Sequence, residues 1–188
     1  PPINSISTSS LTNPNSSDYG SGLSKVIANR INSFRDSGSA QLSNIYAEAT
    51  TSFRASEVES DDYSGLVTFP PAPTHISVAS GSISFGDLQI NGFSVPSVSF
   101  LDNDSGGTLT SAINSIANST GVNAAIASNG ELELTASDGR DIVISTSTAN
   151  VTNMIFANGT SRFTAPFSNL RTAGQLSVYS DESVVFEG

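Results

Sequence analysis

A chain of 188 residues can bury one substantial core or two small ones. Its formal net charge is −10 and Lys25 is its only lysine, so it lacks the basic footprint that nucleic acids and anionic membrane surfaces require. It has no cysteine to form a disulfide, and no apolar run approaches the roughly 18 residues of a membrane-spanning helix.

Residues 1–22 are rich in Ser, Asn and Pro and read as a loop or extended edge segment that touches the body through Ile6 and Leu11. Pro1 to Ser5 show neither the basic nor the apolar region of a secretory signal. Leu23, Val26, Ile27, Arg30, Ile31 and Phe34 then recur at helical spacing, which predicts an amphipathic helix with Ser21 as N-cap and Gly38 as its stop. From Gln41 to Val58 the apolar positions Leu42, Ile45, Ala47, Ala49 and Phe53 alternate loosely, and a long strand is expected. Glu57, Glu59, Asp61 and Asp62 make an acidic, turn-like patch. The stiff stretch Phe69-Pro70-Pro71-Ala72-Pro73 marks a boundary between an N-terminal subdomain, 1–72, and a second one, 73–188.

The second subdomain is the more legible. Gly86 to Ile90 alternates, Asn91-Gly92 is a strong hairpin signal, and Phe93 to Phe100 is the return strand. Leu109, Ala112, Ile113 and Ile116 predict a helix, ended by Thr120-Gly121 with Gly121 as the left-handed residue. Val122 to Ala127 and Glu131 to Ala136 flank a second hairpin at Asn129-Gly130, and Asp138-Gly139 turns into Asp141 to Ser145. Beyond Ser147 the pattern blurs. Val151, Met154 and Ile155 suit one helical turn, Arg162 to Phe167 a short strand or loop, and Gly174 to Val178 and Ser183 to Phe186 strands.

One parallel stands out. The run Leu23 to Gly38 carries Ile-Asn, then Gly, then a strand, and Leu109 to Gly121 does the same. This reads as a degenerate duplication of a helix–strand unit. The expected class is α+β: antiparallel β-sheets with two short amphipathic helices packed on them. Leu88, Ile90, Val95, Leu109, Ile113, Ile116, Val122, Ile126, Leu132, Leu134, Ile142 and Ile144 should form one core.

Candidates for chemistry are few. Acid–base or nucleophilic catalysis usually draws on histidine or cysteine, and the one histidine, His75, follows a Pro-rich turn and reads as a surface residue. No G-x-S-x-G elbow accompanies the many serines. Asp102-Asn103-Asp104-Ser105-Gly106-Gly107 begins like a calcium loop, but its twelfth position is Ile113 where a glutamate is needed. The simpler reading is a helix start, with Ser105 or Thr108 as N-cap and Asp102 and Asp104 favouring the positive end. The Glu57–Asp62 cluster reads as a solvated turn. No catalytic, cofactor-binding or metal-ligating residue is assigned.

The pieces Ile90-Asn91-Gly92, Ala112-Ile113-Asn114, Thr120-Gly121-Val122, Asn129-Gly130-Glu131-Leu132-Glu133-Leu134 and Asp138-Gly139-Arg140-Asp141-Ile142 occur in this order. Together they resemble the repeat motif of bacterial flagellins and flagellar hook-associated proteins, and Gly174 to Gly188 resembles the strands that close it. Some flagellins carry a zinc peptidase insert, but one histidine and no cysteine cannot build that site. The resemblance implies a structural, non-catalytic protein of the extracellular bacterial flagellum.

Family members polymerise through long terminal heptad helices, and neither end of this sequence sustains a heptad. The chain is therefore expected to be the surface-exposed outer domain of an axial protein. Flagellin is favoured, with hook, hook–filament junction and cap proteins as alternatives. Its partners would be neighbouring subunits, and its surface would face antibodies or host, with no nucleic acid and no membrane insertion. An alternative of another class is an exported carbohydrate-binding or adhesive module using Tyr46, Tyr63 or Tyr179. The absence of tryptophan weakens that one.

Overall fold

The computed structural model describes residues 21–38, 43–57 and 76–180. The described residues form helices and antiparallel strands, which is the α+β class the sequence implies. They gather into two compact units that are not consecutive along the sequence. The Pro-rich stretch at 69–73 lies outside the described residues, as do His75 and the acidic residues 59–62.

The first unit holds α1 (Leu23–Asp36), β1 (Ile45–Arg54) as far as Thr51, the turn at 136–141 and β10 (Gln175–Ser180). Helix α1 starts at Gly22, whose φ of 73° takes the place of a side-chain cap; Ser21 does not serve as one. Strand β1 alternates as expected, with Ala47, Ala49 and Thr51 inward. It pairs antiparallel with β10 from Ile45 opposite Ser180 to Thr50 opposite Gln175. Among the described residues its apolar cluster is small: Ala28, Ala47 and Ala49, with Ile31 packed against them. In the Asp138-Gly139 turn, Gly139 has φ 72°, and a Cβ there would lie 2.1 Å from that of Ala49, so no larger residue fits.

The second unit holds residues 52–57, 76–135 and 142–172. Strand β2 (Gly81–Ile83) pairs with β5 (Val98–Phe100). Strand β3 (Leu88–Ile90) lies between β4 (Phe93–Ser94) and β8 (Ile142–Thr146), and β9 (Leu170–Thr172) extends that sheet beyond β8. A hairpin joins β6 (Asn123–Ile126) to β7 (Leu132–Ala136). Asn91 and Gly92 both take positive φ, 49° and 81°, as a two-residue type I′ turn requires.

The helical stretch after the β5 strand is broken where one helix was expected. Helix α2 (Thr108–Asn114) stops, and α3 (Ala117–Thr120) starts two residues further on, ending on left-handed Gly121. Ile116 sits at the break with φ −106° and is only partly buried. Ile126 is also only partly buried, because it is the last residue of β6. The other ten expected core residues are buried.

The core also contains what the sequence blurred. Helix α4 (Ala149–Phe156) begins on Thr148, whose hydroxyl accepts from the Val151 N–H. Phe156 anchors a chain of rings, 5.7 Å from Phe53 and 5.2 Å from Phe167, with Phe163 4.8 Å from Phe167.

Candidate functional site

Several polar side chains of the 87–138 stretch are spent on the backbone. Asn91 sits in its turn with its own N–H donating to the Val143 carbonyl at 2.8 Å. Its Oδ1 accepts from the Val143 N–H at 2.8 Å, and its Nδ2 donates to the Thr120 carbonyl at 2.9 Å. One residue thus ties the β3–β4 turn to β8 and to the end of α3. Asn114, the last residue of α2, donates from Nδ2 to the Ala124 carbonyl at 3.0 Å and accepts from the Ala124 N–H at 2.7 Å. A side-chain amide has the donor and acceptor of a peptide, so Asn114 pairs with β6 as a neighbouring strand would.

The suspected calcium loop is a helix cap. Asn103 and Asp104 adopt left-handed φ, 56° and 45°, which short polar side chains tolerate. The buried Asp104 carboxylate accepts from the backbone N–H groups of Leu109 and Thr110 and from the Thr110 hydroxyl, each at 2.9 Å. This carboxylate, and neither Ser105 nor Thr108, satisfies the start of α2; the Thr108 hydroxyl donates to the Ser99 carbonyl instead. Asp102 Oδ1 accepts from the Ser80 N–H at 2.6 Å. The two carboxylates therefore serve different backbone groups and do not converge on a cation. Among the described residues no three His, Cys, Asp or Glu side chains gather as metal ligands.

Two further carboxylates escaped the sequence reading. Glu131 is buried and accepts from the Ser56 N–H at 2.7 Å, the Ser56 hydroxyl at 3.0 Å and Asn129 Nδ2 at 3.3 Å. Asp138 lies between Lys25 Nζ at 2.6 Å and Arg140 Nη2 at 2.8 Å. Partial burial pushes the Asp138 carboxyl up, but hydrogen bonds from Arg140 and Lys25 outweigh it and hold the group well below the usual carboxylate range. Only the Asn-Gly and Asp-Gly dipeptides signalled these turns; nothing local marks the long-range partners Ser56 and Lys25.

Of the tyrosines proposed for sugar binding, Tyr63 lies outside the described residues. Tyr46 and Tyr179 are brought together as directly opposed partners on β1 and β10, both exposed, and the Arg35 guanidinium stands 4.7 Å over the Tyr46 ring. A shallow apolar groove runs along α1 between Val26, Arg30 and Phe34. No helix among the described residues is long and apolar enough to cross a membrane.

With this geometry in place, comparison with known families is informative. Residues 87–138, the segment whose asparagines and carboxylates fix its turns, match the family model for the flagellin hook IN motif.

Proposed function

From a chain whose residues 87–138 match the flagellin hook IN motif, we propose membership of the flagellins and flagellar hook-associated proteins and the role of a non-catalytic outer domain of a flagellar axial protein, most simply flagellin. The motif itself supports a flagellin-like structural protein of the bacterial flagellum, an extracellular organelle built from neighbouring subunits. The observation that carries the finer reading is where the polar groups go. Asn91, Asp104, Asn114 and Glu131 are consumed by backbone N–H and C=O groups, which builds a rigid display scaffold rather than a reaction centre.

The test is fractionation. Appendages sheared from the source cells are separated into filaments and purified hook–basal bodies, and peptides of this chain are quantified in each by mass spectrometry. Dominance in the filament supports a flagellin. Enrichment with the hook moves the chain to the hook or junction proteins, and absence from both removes the flagellar reading.

A second reading, an adhesive module, is favoured by one observation: the exposed Tyr46–Tyr179 pair offers two adjacent rings on one sheet face. A glycan array on which Tyr46→Ala and Tyr179→Ala abolish a wild-type signal would support it, and an array without any signal would remove it.

A further inference from the structure

We infer that the first unit is a second, discontinuous copy of the helix and hairpin of that motif, interrupted at the tip of its hairpin by the whole second unit. The argument begins at the asparagine clamp. Asn32, in the Ile31-Asn32-Ser33 run of α1, donates from Nδ2 to the Ala47 carbonyl at 2.7 Å and accepts from the Ala47 N–H at 3.0 Å. Asn114, in Ile113-Asn114-Ser115, does the same to Ala124. Each helix run is followed by a left-handed glycine, Gly38 with φ 83° and Gly121 with φ 69°.

The clamp alone does not make a copy, since Asn153 holds Phe163 by the same pair of bonds. Strand pairing and the sequences of the return strands extend the correspondence. With Ala47 set on Ala124, the partner of Ala47 is Val178 and that of Ala124 is Leu134. Two residues on, Ala49 faces Leu176 as Ile126 faces Leu132, and one residue back Tyr46 faces Tyr179 as Asn123 faces Thr135. The sequences obey the same alignment: Gly174-Gln175-Leu176-Ser177-Val178-Tyr179-Ser180 sits on Gly130-Glu131-Leu132-Glu133-Leu134-Thr135-Ala136. Helix, strand and return strand therefore correspond without a gap inside either strand.

The connections locate the interruption. In the continuous copy, the Ala127 N–H donates to the Glu131 carbonyl, so Ser128, Asn129 and Gly130 close the hairpin. The equivalent pair in the first unit is Thr50 and Gln175, and what joins them is residues 51–174. The chain leaves the first unit after Thr51, returns to it for the turn at 136–141, and comes back for good at Ala173, beside those two hairpin ends. The family match at 87–138 includes the helix, strand and return strand of the continuous copy.

The test uses the full chain and amide exchange by NMR. In a matched chimera, Gln175→Glu, Ser177→Glu, Val178→Leu, Tyr179→Thr and Ser180→Ala give β10 the β7 sequence. A shifted chimera places the same six residues one position later, which turns the apolar set to the other face. The matched chimera is expected to keep β1 protection within about threefold of wild type, and the shifted one to lose about tenfold or more. Asn32→Ala should accelerate exchange at Ala47 as Asn114→Ala does at Ala124. Loss of β1 protection in the matched chimera, equal behaviour of the two chimeras, or an Ala47 amide indifferent to Asn32→Ala would overturn the inference.

Discussion

At Asn114 one side-chain amide does the work of a neighbouring strand. Its removal in Asn114→Ala leaves the N–H and C=O of Ala124, itself buried, without their partner. The loss of two hydrogen bonds is offset in part by alanine's better helix propensity, for a net cost of about 1 kcal/mol. Asn114→Asp should not recover it, because a carboxylate has no donor for the Ala124 carbonyl. Urea denaturation of the three proteins checks this, and identical midpoints would mean the clamp contributes nothing. The sequence made the turn at Asn91-Gly92 plain, since the dipeptide carries its own conformational preference. It did not reveal why Asn91 rather than Asp stands there: the partners Val143 and Thr120 are distant in sequence. Asp104 was legible as an acidic group near a helix start, yet its role as the cap depends on two successive left-handed residues that no periodicity encodes.

Among the elements, α2 was read correctly as the helix that fills the second unit's core, but its length was not. Apolar spacing continues through Ile116 while the backbone stops at Asn114, so hydrophobic period and helix extent part company. This separates two substitutions that the sequence alone would treat alike. Ile113→Ala removes a fully buried side chain and should cost about 2–5 kcal/mol, whereas Ile116→Ala at the break should cost less than about 1.5 kcal/mol. Equal losses in thermal or chemical unfolding would show that α2 and α3 behave as one helix. Helix α4 was nearly invisible because its inward face mixes Thr152 and Asn153 with Val151, Ile155 and Phe156. Its ring partners Phe53, Phe163 and Phe167 come from irregular or distant segments, which leave no periodic signal.

The turn at Asp138 has a pH signature at this same scale. Its folded carboxyl is held below the ordinary value by Arg140 and Lys25, against the upward push of burial. A depressed folded value means the stabilisation is complete above the unfolded pKa of about 3.9 and is lost as the pH falls through the folded value. Asp138→Asn should therefore be less stable than wild type at pH 7, by about 1 kcal/mol or less given the exposure of the ion pairs. The difference should shrink once the pH drops below about 4. A gap that is constant from pH 7 to pH 3 would assign the loss to packing of the turn instead.

For the whole molecule, the two units should differ in how firmly each is held. Corresponding positions make the comparison direct: Leu132 and Leu134 are 1% and 0% exposed, while Leu176 and Val178 are 37% and 54% exposed. Among the described residues, the second unit buries full-sized aliphatic and aromatic side chains, and the first buries alanines, with a cluster of Ala28, Ala47 and Ala49 and Ile31 beside them. Because stabilisation follows the apolar area removed from water, the same motif geometry is supported by much less of it in the first unit. Local opening should therefore be easier there, and native-state hydrogen exchange reads that difference amide by amide. The β1–β10 amides from Ile45 to Thr50 are expected to exchange about tenfold or more faster than those of β6–β7, with weaker dependence on added urea, since less surface is exposed on opening. Exchange at equal rates with equal urea dependence would mean that both hairpins open only when the entire chain unfolds. The alanine core of the first unit would then be stabilised by something other than its own buried area.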